Sequence, residues 1–434
     1  YCLIKYDQNG NQLMLLRYDS PPSTSDITTD AFIDKQLNIY ITGRSDSSGS
    51  DYDFLTLKYN SLGNLLWQAR YTSAGSHYDE PLKVIADDSG NVFIGGNIDS
   101  YRKTVLLKYN SSGVLLWNKI HTSNIDGHYA MDFAADKNYN FYYTGYINDQ
   151  NTITDFYTLK FTRTGNLIWS KTYNGSASIF DESYFIGIDG NFNVIVTGAS
   201  EENNGSFINT IKYDSSGNEL WQKKVNNNGV TVYPYAMKLD QNGNIYYTGS
   251  SSAGVNNYNF FTVKILTNGT LGWTSIFNGS SSGNDVPYSL TIDTSGRVLV
   301  CGSSLGNSSG LDYCTVVYNN LGLQLQELRY NGPAGTDDIA IKVIHNKETN
   351  SIFVTGSSTG TGSNRDFCTL KLSAVVGVQI VESNFPNTFS LSQNYPNPFN
   401  PSTNFEFRVA DLGFVNLTIY DAMGRVVETL QNGE

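Results

Sequence analysis

One eight-residue phrase is written five times: NSLGNLLW at 60–67, NSSGVLLW at 110–117, TRTGNLIW at 162–169, DSSGNELW at 214–221 and LTNGTLGW at 266–273. All five tryptophans of the chain, Trp67, Trp117, Trp169, Trp221 and Trp273, close that phrase. A tandem repeat constrains a fold more tightly than composition does, because each unit must bury its apolar face against a copy of itself. The phrase belongs to a longer unit, FLTLKYNSLGNLLWQARY (54–71). Its lysine column runs Lys5, Lys58, Lys108, Lys160, Lys212, Lys264, Val317, Lys371, at spacings of 53, 50, 52, 52, 52, 53 and 54. The tryptophan column begins at Met14 and ends at Gln326. A second unit, VIADDSGNVFIGG (84–96), alternates with the first and ends on a glycine column: Gly43, Gly96, Gly145, Gly198, Gly249, Gly302, Gly356.

Each half-unit reads as a β-hairpin. Short runs of β-branched, aromatic and aliphatic residues flank N-S-x-G-N or D-D-S-G, and the turn glycine supplies the positive φ a tight reversal needs. Two hairpins per period predict four antiparallel strands, A (84–86), B (91–95), C (54–59) and D (65–71). Four strands in about 50 residues is the pattern of a propeller blade, with one tryptophan per blade as a wedge between sheets. The expected fold is therefore all-β: a β-propeller of four-stranded antiparallel blades over residues 1–373. Seven A–B units favour seven blades, and the surplus C strand at 1–6 leaves eight open if upstream sequence is missing. Strand D from the N-terminus is expected to complete the last blade, whose tryptophan column fails.

Composition narrows the role. The 434 residues carry a net charge of −12, which argues against nucleic acid as a partner. No apolar run is long enough for a transmembrane segment. The chain opens at Tyr1 within a strand, which reads as a mature or truncated chain. Cys2, Cys314 and Cys368 share one repeat position and read as small core residues, while Cys301 and Cys314, on consecutive strands, leave one disulfide open.

The stretches DQNGNIYYTG (240–249) and DFLTLKYNSLGN (53–64) resemble the bacterial β-propeller repeat family. That resemblance covers roughly residues 1–373 and implies the fold and an extracellular setting, without a shared catalytic residue. Past residue 373 the repeat stops. A linker (374–388) leads into FSLSQNYPNPFNPSTNFEF and the strand-like runs FEFRVA, VNLTIYDAMG and RVVETL, which read as the start of a small, incomplete Ig-like β-sandwich. Residues 389–434 resemble the C-terminal sorting domain of the type IX secretion system. Asn394, Tyr395, Pro396, Asn397, Pro398, Phe399, Asn400 and Pro401 match its opening motif, and Tyr420-Asp421 with Gly424-Arg425 its central turn. The resemblance implies the type IX secretion machinery as a partner and a location outside a Gram-negative bacterium of the Bacteroidetes kind, free or on the cell surface.

No catalytic motif emerges. His77, His121, His128 and His345 lie in no metal-binding spacing, and no nucleophile elbow is present. The D-x-x-G-N turns (Asp87, Asp240, Asp293) lack the alternating acids of a calcium loop. The expectation is no enzyme and no cofactor. The lysine column reads as structural, its stems packed between sheets. The variable B–C and D–A loops share one face, where binding is expected. There the residue entering strand A reads Asp26, Asp79, His128, Asp181, Val232, Asp285, Asp338, with Tyr78 and Tyr129 beside it. These acids either ring a channel mouth that takes a cation or basic group, or each caps its own turn. The expected function is binding or adhesion at the cell surface, toward an extracellular protein or glycan. The alternatives are self-association into a structural layer or filament and a polysaccharide-active enzyme.

Overall fold

The computed structural model of the chain describes residues 1–372 apart from 22–24, 47–50, 76–77, 124–126, 150–152, 204, 228–231, 255–256, 282, 308 and 363. Of the tail it describes residues 390–391, 407–408, 415–420 and 425–433. The chain forms two compact units, Tyr1–Ser373 and Ala374–Glu434. No helix among the described residues is long and apolar enough to cross a membrane.

The first unit is a seven-bladed propeller. In blade one, strands A (Asp26–Ile33), B (Ile39–Asp46), C (Tyr52–Tyr59) and D (Leu65–Tyr71) pair antiparallel in that order. The A strands of blades two to seven are Glu80–Ala86, His128–Ala135, Asp181–Ile188, Val232–Leu239, Asp285–Ile292 and Ile339–Asn346. From blade one to blade seven, each A strand lies against the A strand of the following blade, so the A strands are innermost. Strands A and B run longer than the sequence pattern marks, to Glu80–Ala86 and Val92–Ile98 in blade two.

The N-terminal strand does not complete the last blade. Among the described residues blade seven has three strands, and Gln12–Arg17 pairs with Cys2–Tyr6. The reason is local: a D strand has one ladder to fill, and the C strand of its own hairpin already fills it. The hairpin instead takes the place of an outer C–D hairpin between blades seven and one. Lys371 Nζ donates to Gln8 O at 3.2 Å on one side, and Lys5 Nζ donates to Ser61 O at 3.0 Å on the other.

The tryptophan is the expected wedge, and it does more than fill space. Trp169 packs between Tyr142 of its own blade and Tyr213 of the next, and its Nε1 donates to Ser215 O in the next C–D turn at 3.2 Å. Lys160 Nζ donates to the same carbonyl at 2.7 Å. Trp221 and Lys212 converge likewise on Thr267 O, and Trp273 and Lys264 on Asn320 O. The two most regular columns of the repeat therefore clamp one carbonyl of the following blade. That turn presents a glycine to the indole: a Cβ on Gly217 (φ +86°) would lie 3.0 Å from Trp169 Cδ2.

The B-strand glycine column has a different cause. Every A strand carries a β-bulge near its third residue, as between Ser183 and Phe185 in blade four. The bulge pushes a carbonyl toward the glycine paired beside it, so a Cβ on Gly198 would lie 2.0 Å from Glu182 O. Each bulge also inserts one extra side chain into the innermost strand, among them Met131, Tyr184, Tyr235 and Ile341.

Cys301 and Cys314 are free and fully buried. Cys301 pairs with Thr315 and Cys314 with Gly302, so the two residues are one step out of register and point to opposite faces of the sheet. The disulfide left open by the sequence does not form. Burial pushes the Cys301 thiol up to about 12. The A–B turn aspartates serve their own turns: Asp87 Oδ1 accepts Ser89 N at 3.0 Å and Asn91 N at 2.9 Å, and Oδ2 accepts Asn91 Nδ2 at 2.9 Å. Burial opposes ionisation of Asp87, but those hydrogen bonds and Arg163 outweigh it and lower its pKa.

In the second unit, Ser390–Leu391 pairs with Phe407–Arg408 and Val415–Tyr420 with Val426–Gly433. The linker and the motif Asn394–Pro401 lie outside the described residues.

Candidate functional site

The column entering strand A is drawn beneath the surface. Asp79, His128, Asp181, Asp285 and Asp338 are each at most 1% exposed, and only Asp26 is partly exposed. Each aspartate accepts the backbone N–H of the residue six positions earlier: Ser20 N to Asp26 (2.7 Å), Ser73 N to Asp79 (2.9 Å), Gly175 N to Asp181 (2.6 Å), Gly279 N to Asp285 (2.7 Å) and Gly332 N to Asp338 (2.5 Å). The carboxylates thus tie each D–A loop back onto its own strand. They do not stand as a charged ring open to solvent. Burial raises the pKa of Asp79, Asp181 and Asp285 despite these bonds. Blade three substitutes a histidine, and burial, with His121 beside it, drops His128 to about 4. His121 bonds the Tyr157 hydroxyl at 2.9 Å and His345 contacts Asn350 at 2.9 Å, while His77 lies outside the described residues.

The residue after each cap, rather than the cap, emerges at the loop face. That next column reads Ile27, Glu80, Tyr129, Glu182, Tyr233, Val286, Ile339. Around it runs an unbroken arc of tyrosines: Tyr52 to Tyr78 with ring centroids 5.2 Å apart, Tyr78 to Tyr101 at 5.2 Å, Tyr101 to Tyr129 at 5.4 Å, and Tyr129 to Tyr146 at 4.8 Å. It crosses from blade one to blade three. Beyond it stand Tyr184, Tyr233 and Tyr235, and Tyr235 meets Tyr288 of the next blade edge-on at 5.9 Å. Tyr233, Tyr235 and Tyr258 are 43%, 39% and 37% exposed, so aromatic surface is open at the start of blade five's A and C strands and at the A-strand bulge. On blades one and seven the corresponding positions are aliphatic, with Ile27 exposed after the cap and Ile341 exposed at the bulge.

Tyr78 and Tyr129, expected beside the site, are therefore members of this arc. Tyr52, Tyr101, Tyr146, Tyr184 and Tyr233 are not singled out by the sequence reading, although Tyr146 directly follows the glycine column and Tyr233 follows the cap column. Arg44 lies over the Tyr52 and Tyr78 rings, 5.3 and 5.2 Å from their centroids, and pairs with Glu80 at 2.7 Å. Aromatic faces carry partial negative charge and attract such a cation.

No family model matches the chain, and no curated protein matches it. Among solved structures it is similar to a eukaryotic initiation factor, at 8% identity and a TM-score of 0.45, over 85% of this chain and 80% of that one. It is also similar to a protein of unknown function from Dyadobacter fermentans DSM 18053, at 11% identity and a TM-score of 0.38, over 66% of this chain and 92% of that one. At these levels of likeness no role passes from either protein to this chain.

Proposed function

We propose that this chain is a secreted, non-enzymatic β-propeller that binds an extracellular protein or glycan on its B–C and D–A loop face. The observation that carries the reading is the tyrosine arc. Rigid, partly exposed aromatic rings with polar tips supply large contact area at low entropic cost, and they serve both peptide and sugar ligands. The resemblance of residues 389–434 to a type IX sorting domain supports export to the cell exterior. The repeat's resemblance to bacterial propeller proteins supports the same setting. Binding of the intact chain to glycan and peptide arrays tests the proposal, with Tyr129→Ala and Tyr233→Ala as face variants. Loss of signal in both variants is expected. Retained binding, with protection from footprinting reagents on the A–B and C–D turns instead, overturns the assignment.

A second reading, self-association, draws on the outer edge of blade seven. Among the described residues, strand Arg365–Leu372 pairs on one side only, and Phe367 is 64% exposed. Open edges and apolar rings invite pairing between copies. Size-exclusion chromatography across a concentration series separates the two: a constant monomer volume removes self-association.

A further inference from the structure

Glu80 and Glu182 hold the same place in blades two and four, one residue after the buried caps Asp79 and Asp181. Their surroundings differ in one informative respect. In blade one, the residue after the B-strand glycine is Arg44, and it crosses to Glu80 at 2.7 Å. Its guanidinium lies over Tyr52 and Tyr78, and Tyr101 also donates its hydroxyl to Glu80 at 2.8 Å. The blade-two carboxylate is thus inside an aromatic cage whose cation comes from the chain itself.

At blade four the carboxylate and the aromatic rings recur, but the cation does not. The place of Arg44 on the preceding blade is taken by Tyr146, whose ring stacks on Tyr129 at 4.8 Å. Tyr184 donates its hydroxyl to Glu182 at 2.5 Å. Tyr233 follows on blade five, 43% exposed. Burial and the nearby Glu182 charge raise the Tyr146 hydroxyl to about 12, and burial followed by the same carboxylate raises Tyr184. Tyr233 also rises, from burial first, with Glu201 and Glu182 among the contributors. Among the described residues no Lys, Arg or His pairs with Glu182, whose hydrogen bond comes from Tyr184.

We infer that Glu182, with Tyr129, Tyr146, Tyr184 and Tyr233, seats an arginine side chain of a partner protein. A planar guanidinium can lie over tyrosine rings and donate to a carboxylate at once, as Arg44 does through its Nη1 two blades away. A lysine ammonium, a strongly hydrated point charge, gains less from the same surroundings. The chain's net charge of −12 favours approach of a basic partner. This inference rests on the loop face being the ligand face, and it names the chemistry that face selects.

The probe is hexa-arginine peptide, titrated against the full chain by fluorescence anisotropy at low salt, with hexa-lysine beside it. Saturable binding is expected, tighter for hexa-arginine, and weakened ~10-fold by Glu182→Gln. Glu182→Gln keeps an oxygen acceptor for Tyr184, and an unchanged thermal midpoint confirms its fold. Tyr233→Ala, at an exposed ring, should weaken binding independently. Glu348→Gln removes the same charge from the A–B turn of blade seven and should leave affinity within about twofold, since screening limits distant charges. Equal weakening by Glu182→Gln and Glu348→Gln, or equal affinity for the two peptides, overturns the seat. So does an absence of saturable hexa-arginine binding. If a neutral glycan then binds and Tyr233→Ala abolishes it, the ligand face stands and the arginine seat alone fails. Ligand protection confined to the A–B face overturns both.

Discussion

Gly217→Ala tests how the blades are locked together. The substitution has two costs, which the structure separates. A non-glycine residue at φ +86° carries a left-handed penalty of ~1–2 kcal/mol. The added Cβ would also lie 3.0 Å from Trp169 Cδ2 and 2.9 Å from Lys171 Cε, well inside ordinary carbon–carbon contact. Overpacking of that kind costs a further ~1–3 kcal/mol. Gly10 supplies the control. It occupies the same turn position at φ +87°, yet nothing lies within 4 Å of its Cβ site. Gly10→Ala should therefore cost the conformational term alone. Urea unfolding midpoints of both variants give the difference. In a Trp169→Ala background only the flexible end of Lys171 must still give way, so Gly217→Ala should fall close to the cost of Gly10→Ala, a coupling of ~1–3 kcal/mol between residues in contact. Equal costs at Gly10 and Gly217, or an undiminished cost without Trp169, would refute the clamp between successive blades.

Four further outcomes are expected. Trp169→Ala should itself lose ~3–5 kcal/mol by thermal or urea unfolding, because it empties the space between Tyr142 and Tyr213. His128 is held neutral, with a folded pKa of about 4 against 6.5, so its contribution is complete above pH ~6.5 and is lost as pH falls toward 4. That shift corresponds to ~3 kcal/mol, and His128→Asn should flatten the urea midpoint over this range; an unchanged slope contradicts it. Asp79→Asn, Asp181→Asn and Asp285→Asn together should preserve the fold at pH 7, since an amide oxygen still accepts each D–A loop N–H while only the Asp99 N–H bond to Asp79 is given up, whereas Asp181→Ala should cost ~1–3 kcal/mol by the same assay. Deleting 389–434 should leave the propeller inside the envelope of a native host, and its normal appearance in the medium would exclude a sorting role for the tail.

Much of the propeller was legible because its signals are discrete. Turn glycines, a tryptophan per blade and a near-constant period each leave a mark in a single sequence. The A-strand bulge leaves none: Ser183-Tyr184-Phe185 reads as plain strand, and only the carbonyl 2.0 Å from the Gly198 Cβ site explains the glycine column. Ring closure escapes the sequence for a related reason. Counting strands shows that a D strand is missing from blade seven, but not that Cys2–Tyr6 already occupies the ladder of Gln12–Arg17.

The candidate site was legible in position and not in direction. Asp79 and Asp181 sit at the expected loop face, yet a strand alternates its side chains, so a single step decides between core and solvent. The caps turn inward, and Glu80, Tyr129, Glu182 and Tyr233 turn outward. There is a physical reason to look at that second column. A residue type that recurs in most blades answers a need every blade has: a loop to cap, a turn to clamp, a bulge to admit. A ligand breaks the ring's symmetry, because it touches some blades and not others, so its contacts must lie where the blades disagree. After the glycine column the chain writes Arg44, Asn97, Tyr146, Ala199, Ser250, Ser303 and Ser357. The one arginine and the one tyrosine of that series fall beside the acids of blades two and four, Arg44 on Glu80 and Tyr146 near Glu182, and there the arc of rings is found.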